Sequence, residues 1–427
     1  MRSSGSLVAR LIAGVTALVC LAAASPGPAA GPMPGSASPP EMRALWVLRT
    51  SLASPESITR LVRSARQHGF NTLFVQVRGR GDAFYTGGLE PRGAQLGAQP
   101  AAFDPLAEVL GAAHAAGLRV HAWLNVNLVS SATELPRGPD HLVVRRPEWL
   151  MVPRDLAREL ARVDPSSAAY LARLARWTRG QPNDVEGLYA SPIPAGAVDH
   201  LVDLVGDLAR RYAVDGVHFD YVRYPSDRFD YSRAALREFR AWIEPQLPPV
   251  ERRALASLAQ KDPLAHVTAL PDEWRRFRIA RMTILLARLG ETVRRERAAA
   301  TVSVAAKADI RDALQHRLQE WPRWLEEGLI DAVAPMAYTT EPRQFEQQIA
   351  AARAIGGGGQ VWAGIGAYRL SPAQTVANIR TARRLRADGV VLFSYDSLVD
   401  PRRAAQDYLG VVSRSAFSGG PAVEGSR

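Results

Sequence analysis

Between residues 43 and 396 the chain repeats one hydrophobic pattern. A helix-like run ends at a glycine or turn, a short apolar run follows, and polar and aromatic residues come immediately after. The apolar runs are Ala44–Leu48, Thr72–Val77, Arg119–Leu124, Gly216–Phe219, Val302–Ala306, Ile330–Ala334, Val361–Ile365 and Val390–Phe393. Continuous apolar runs alternating with helices predict parallel strands covered on both faces. Eight of them is the number that closes a (β/α)8 TIM barrel, the α/β fold expected here. An open doubly wound sheet lacks its signature, because Leu48-Arg-Thr-Ser, not a glycine fingerprint, follows the first run.

The helices agree. Pro55–Gln67 opens behind Ser54 and closes at Gly69, Phe103–Ala116 closes at Gly117, Trp321–Glu327 at Gly328, and Ser371–Arg386 at Gly389. A helical run over Ala195–Tyr212 leads into the turn Asp215-Gly216. The spacing breaks twice, between Asn125 and Pro194 and between Tyr221 and Asp272. The second break contains the helical runs Arg233–Trp242 and Val250–Ala259. Both are long by loop standards. Because they leave the C-terminal ends of the third and fourth strands, they are expected to wall a cleft for an extended substrate.

The residues just past each strand should face one mouth. They are Arg49 and Thr50 after the first strand; Gln76, Arg78, Asp82 and Tyr85 at the second; His121, Trp123, Asn125 and Asn127 at the third; and Asp220, Arg223 and Tyr224 at the fourth. Lys307 and Asp309 follow the fifth, Met336, Tyr338 and Glu341 the sixth, Tyr368 and Arg369 the seventh, and Tyr395 and Asp396 the eighth. Aromatics, amides and carboxylates in one cleft suit a sugar: ring faces stack, hydroxyls accept and donate hydrogen bonds, and carboxylates act on the glycosidic bond. Glycoside cleavage uses two carboxyl groups. Asp220, held by a strand terminus, is the expected nucleophile or base. Asp82 is its expected partner as acid, with Glu90, Asp309, Glu341 and Asp396 still open.

Other chemistries find less support. There is no His-x-His pair or cysteine cluster for a catalytic metal. There is no Gly-x-Ser-x-Gly elbow, and neither Gly79-Arg-Gly81 nor Gly356–Gly359 makes a nucleotide loop. No cofactor is expected. The net charge of +11 comes with 51 arginines and only two lysines, Lys261 and Lys307. The arginines are scattered along helical runs with no aromatic-studded basic block, so a solvated surface and no nucleic-acid partner are expected. Lys307 stands out as a compact ammonium kept at a strand end in an arginine-rich chain, suited to substrate binding or to tuning a carboxylate.

The first 30 residues carry Arg2 and Arg10, an apolar run Leu11–Ala24 and then Ser-Pro-Gly-Pro-Ala-Ala. That is a secretory leader, too short for a good membrane span. Cys20 is the one cysteine, and Val19 before it fits a lipoprotein signal poorly. The expected organisation is a leader over 1–30, a linker over 31–41, a barrel over 42–412 and a loose tail over 413–427, in an exported protein with no stable membrane span after cleavage.

Several ordered blocks resemble the bacterial glycosyl-hydrolase-like family ten. They are Phe70–Tyr85, Phe103-Asp-Pro-Leu106, Ala113–Asn125, Pro147-Glu-Trp149, Tyr212–Pro225, Trp324–Tyr338 and Val361–Tyr368. The resemblance implies an exported TIM barrel acting on glycan, as some members look like glycosidases of peptidoglycan strands that lack peptide stems. It places Gln76, Arg78, Asp82, Tyr85, His121, Trp123, Asn125 and Asp220 on motif positions. Through a distant similarity to α-amylase-like barrels, it implies Asp220 as a nucleophile in a retaining mechanism. Three departures stand out, one of them the strand-five segment Ala305-Ala-Lys-Ala-Asp309, where many members have a Ser-Pro-Phe-Gly-like segment. Many members carry two adjacent aspartates where this chain has Asp220-Tyr221, and an aromatic where it has Arg223. A non-catalytic glycan-binding barrel and a transglycosylase using the same residues are the alternatives.

Overall fold

The computed structural model describes residues 40–181, 185–355, 358–404 and 406–417. The expected leader and nearly all of the expected linker lie outside the described residues. Eight parallel strands close into a barrel: β1 Met42–Val47, β2 Thr72–Arg78, β3 Arg119–Asn125, β4 Gly216–Asp220, β5 Thr301–Lys307, β6 Ala332–Ala337, β7 Gln360–Ile365 and β8 Gly389–Phe393, with β8 pairing back onto β1. The sequence pattern locates all eight. It places β6 two residues early, because Ile330 is buried in the approach and the Asp331 backbone already bonds to Val302 O and Gln360 N just ahead of the strand.

One device recurs at the N-terminal mouth. The residue immediately before each even-numbered strand accepts a hydrogen bond from the backbone N–H near the start of the preceding odd-numbered strand. Asn71 takes Arg43 N (3.0 Å), Asp215 takes Val120 N (2.8 Å), Asp331 takes Val302 N (2.7 Å) and Asp388 takes Val361 N (2.8 Å). Each satisfies an amide that would otherwise lack a partner at the barrel's lower rim. These groups hold strands in register at the end where a barrel keeps its stability, opposite the end where it keeps its chemistry.

Helices cover the outside. Pro55–Gln67 starts in a capping box, with Ser57 N donating to Ser54 Oγ at 3.2 Å, and ends at Gly69 with φ +76°. The long helix Pro271–Glu296 packs on Ala195–Arg211, burying Leu285, Leu289 and Val293 with Leu204 and Leu208 in the main core. Among the described residues, no helix is long and apolar enough to cross a membrane. The packed chain continues past the boundary expected at residue 412. Phe417 lies edge-on to Phe70 at 5.2 Å, and Ala416 O accepts from Arg383 at 2.7 Å.

The two long excursions are small packed units. In the first, Leu128–Ser130 pairs antiparallel with Leu188–Tyr189 over a cluster of Val129, Leu142, Leu150 and Leu174. The second packs Phe239 and Leu264, together with Trp274 and Phe277 of the long helix Pro271–Glu296, against Val152, Leu160 and Tyr170 of the first. The buried carboxylate of Asp230 joins them by accepting from Val152 N at 2.9 Å.

Replacing Asp331 by Ala strands the Val302 amide and should cost about 1–3 kcal/mol. Asp331→Asn should cost less, since Asn71 already does this work for β1. Thermal unfolding of the two variants checks the order.

Candidate active site

A cleft of about 950 Å³ opens at the C-terminal ends of the barrel strands. Its floor is aromatic. Trp46 from β1 meets Tyr338 and Phe393 edge-on at 6.2 and 6.1 Å, and Tyr338 stacks on Phe393 at 5.4 Å. The floor is anchored from below. The Trp46 indole donates to His218 Nε2 (3.1 Å), so that nitrogen carries no proton, and His218 Nδ1–H donates to Ser303 Oγ (2.9 Å). Burial pushes His218 well below its ordinary pKa, which keeps this neutral tautomer. Beneath it, His121 stacks on Phe74 at 4.9 Å, and a side chain on Gly216 would sit 2.5 Å from His121 Nδ1. That close approach is why β4 begins with glycine.

Asp220 ends β4 in register with Asn125 of β3. The backbone turns left-handed at Tyr221 (φ 56°), a strained conformation for a residue with a Cβ. Asp220 Oδ1 accepts from Tyr221 N (2.6 Å) and from Arg223 (3.2 Å). The Arg223 guanidinium lies 4.0 Å over the Tyr221 ring, and its other terminal nitrogen faces Glu186 Oε1 at 3.5 Å. Tyr189 donates to Glu186 Oε2 at 2.6 Å. Two cleft-lining carboxylates therefore share one buried guanidinium.

Their environments push them apart. Burial raises Asp220 above its ordinary value, and Arg223 and the Tyr221 amide only partly oppose it. Burial acts the same way on Glu186, but Arg223 and the Tyr189 hydroxyl outweigh it and hold Glu186 below its ordinary value. Lys307, at the end of β5, is brought down to about 8 by burial and by Arg223 and Arg317.

Of the residues singled out from the sequence, Arg49, Thr50, Gln76, Trp123, Asn125, Asp220, Arg223, Lys307, Met336, Tyr338, Glu341 and Arg369 line the cleft. Tyr368 packs on Tyr338 and Phe393 from a position 40% exposed. The others do not reach the lining, each for a physical reason. Arg78 is buried in a two-pronged pair with Glu90 (2.7 and 2.6 Å) and donates to Val126 O (3.0 Å), bracing β2 against β3. Tyr85 is buried edge-on to Tyr212, His121 lies inside the barrel, and buried Tyr224 donates to Arg278 O at 3.2 Å. Asp309 caps the helix Ile310–Gln315. Asp396 accepts from Leu48 N and the hydroxyls of Thr50 and Ser51, tying β1 to β8, and neighbouring Tyr395 is buried. Asp82 accepts from Gly79 N and Arg80 N at 3.2 and 2.7 Å and faces Arg49 at 3.6 Å. It shapes the turn after β2 and pairs with Arg49 without lining the cleft itself.

Sequence reasoning missed Glu186. It lies in the first excursion, not at a barrel strand's end, and its neighbouring strand Leu188–Tyr189 has only two residues. The only signal was the excursion's length, which placed a wall there without naming a side chain. Among the described residues, no group of three His, Cys, Asp or Glu is arranged to hold a metal ion.

A family model described as Glycosyl hydrolase-like 10 matches residues 41–357. Glycosyl hydrolase YngK of Bacillus subtilis (strain 168) is 23% identical over 340 residues, 72% of this chain and 56% of the relative. Glycosyl hydrolase DigH of Escherichia coli (strain K12) is 22% identical over 386 residues, 77% of this chain and 74% of the relative. The chain thus spans little more than half of YngK. Among solved structures, the PgaB (BpsB) glycoside hydrolase domain from Bordetella bronchiseptica has a TM-score of 0.59 at 17% identity, covering 86% of this chain and 98% of that one. The catalytic domain of beta-amylase from Paenibacillus polymyxa has 0.57 at 11%, covering 89% and 100%. At these identities the structural likeness is one of fold.

The Arg78–Glu90 pair predicts a pH-dependent stability. Burial alone would raise Glu90, yet Arg78 and His200 hold it down to about 2. Its contribution is therefore complete above the unfolded carboxylate range and fades as pH falls toward 2. Glu90→Gln should cost about 3–5 kcal/mol at neutral pH by leaving Arg78 buried and unpaired. In chemical denaturation the gap to the unsubstituted chain should narrow steadily below about pH 4.5.

Proposed function

This chain belongs to the glycosyl hydrolase-like 10 family, and from that premise we propose that it is an exported glycoside hydrolase cleaving a bacterial cell-wall or related polysaccharide through Asp220 and Glu186. The observation that carries the reading is the pair of carboxylates that share Arg223 and are driven to opposite sides of the usual carboxylate pKa. Such a split is how one site obtains an acid and a base at the same pH. The leader-like pattern of residues 1–30 supports export, and the aromatic floor supports a sugar ring as the group bound above it.

In this mechanism Asp220 holds the proton. Oδ1 is occupied by the Tyr221 amide and Arg223, which leaves Oδ2 to protonate the glycosidic oxygen. Glu186, ionised, attacks the anomeric carbon or activates a water, and Arg223 fixes both groups and balances the charge that passes between them. This reverses the role expected from strand position alone, because burial raises the proton affinity of Asp220 and a shared counter-ion only partly opposes it. Glu186 takes the place expected for Asp82, whose oxygens are committed to the turn after β2 and to Arg49.

On the natural glycan, Asp220→Asn and Glu186→Gln should each lower kcat/KM by about a thousandfold or more, roughly 4 kcal/mol of transition-state stabilisation. An aryl glycoside with a good leaving group separates the roles. Asp220→Asn should recover much of its activity there because no proton is needed, whereas Glu186→Gln should not. The opposite pattern assigns the proton to Glu186.

The pH profile follows from the same shifts. Activity should fall on the acid side only below the ordinary glutamate range, as Glu186 is protonated. On the alkaline side it should fall above the ordinary aspartate value, as Asp220 loses its proton. Steady-state kcat/KM measured against pH checks both limbs. A profile with no alkaline limb from a carboxyl removes Asp220 as the acid.

A further inference from the structure

Lys307 has no place in the two-carboxylate chemistry, yet the fold keeps its ammonium in the cleft wall. Among the described residues it forms no ion pair. The carboxylates near it are engaged elsewhere: Glu186 faces Arg223 at 3.5 Å and takes the Tyr189 hydroxyl at 2.6 Å, and Asp312 faces Arg317 at 3.9 Å. Two further cations, Arg223 and Arg317, bear on Lys307 and work against its charge. Nor does Lys307 serve mainly to tune Glu186, whose charge is held by Arg223, Tyr189 and Arg317.

The cleft as a whole has the same bias. Among the described residues, five basic side chains line it against three acidic ones, and two of those three share Arg223. A partly buried cation without a counter-ion is costly to the empty protein. An anionic ligand removes that cost on binding, so the arrangement favours ligands that bring a negative charge. The residue type fits too. In a chain with 51 arginines and two lysines, position 307 holds a compact point charge, and a broad guanidinium fork would have to share the space with Arg223 and Arg317.

We propose that Lys307 is the anchor of a subsite for a carboxylate-bearing sugar, placed beside Asp220 and Glu186, so that the cleft selects acidic glycans over neutral ones. The subsite rests on the reading of the cleft as a glycan site, but it is tested by binding and not by turnover. Deprotonation near pH 8 then sets an upper limit on the selectivity. The charged groups acting on Lys307 are Arg223 from the turn after β4, Arg317 and Asp312 from the segment after β5, and Glu186 from the first excursion.

The probes are peptide-free bacterial wall glycan strands, which carry carboxylates, and the same strands after reduction of those carboxylates to alcohols. Binding is measured calorimetrically with the Asp220→Asn chain, so that neither probe is consumed. At pH 6.5 the native strands should bind about tenfold more tightly than the reduced ones. The preference should shrink to less than about twofold with Lys307→Met or Lys307→Gln, survive in part with Lys307→Arg, and collapse above about pH 9 with Lys307 intact. Thermal unfolding identifies any variant that fails to fold. Equal affinity for the two probes, no binding of either, or a preference that persists without Lys307 overturns the subsite. Release of reducing ends by the chain with Asp220 intact is scored separately. Cleavage without a carboxylate preference overturns the subsite alone, and a carboxylate preference without cleavage overturns the hydrolase reading alone.

Discussion

The guanidinium of Arg223 is the group on which the cleft is built. It is buried, contacts Asp220 at 3.2 Å and Glu186 at 3.5 Å, and covers the Tyr221 ring at 4.0 Å. Asp220 could not sit this deep without it, because an unpaired buried charge is either neutralised or expelled. One cation shared between two anions leaves neither carboxylate a counter-ion of its own. The more deeply buried carboxyl, Asp220, is the one that moves toward its protonated form. Glu186 has a second donor in Tyr189 and keeps its charge. The left-handed turn at Tyr221 returns Arg223 to Asp220, so a local backbone strain and the polarity of the cleft have one origin.

Beneath this pair the barrel interior is filled, not hollow. The Trp46–His218–Ser303 line runs from β1 through β4 to β5 and fixes the indole that forms the floor of the cleft. The lower rim is held by four side-chain acceptors, Asn71, Asp215, Asp331 and Asp388, each placed one residue before an even strand. Acidic groups thus serve opposite purposes at the two ends. At the bottom they satisfy amides; at the top two of them are held around one guanidinium and their proton affinities diverge.

The barrel was legible in the sequence because burial on both faces leaves a continuous apolar run, and eight such runs with helices between them admit one closed arrangement. Asp220 was legible for the same reason, as the first carboxylate past such a run. The rule that polar residues past a strand face the cleft also brought in residues with other duties. Loop amides and helix N-termini need acceptors, and Asp82, Asp309 and Asp396 supply them. Strand ends also need bracing, which Arg78 provides with Glu90. The rule cannot see a residue that reaches the cleft from an inserted segment. Glu186 arrives there because the two-residue strand Leu188–Tyr189 pairs with Leu128–Ser130, a tertiary contact with no periodicity of its own.

The most direct measurement of the central claim is product analysis in ¹⁸O-labelled water. Purified protein is incubated with peptide-free wall glycan strands, and the new ends are examined by mass spectrometry. Hydrolysis centred on Asp220 and Glu186 predicts shortened strands whose new reducing ends carry one ¹⁸O, absent when either residue is replaced. Strands that are bound but remain full length, or that are shortened equally by the Asp220→Asn and Glu186→Gln chains, would contradict it.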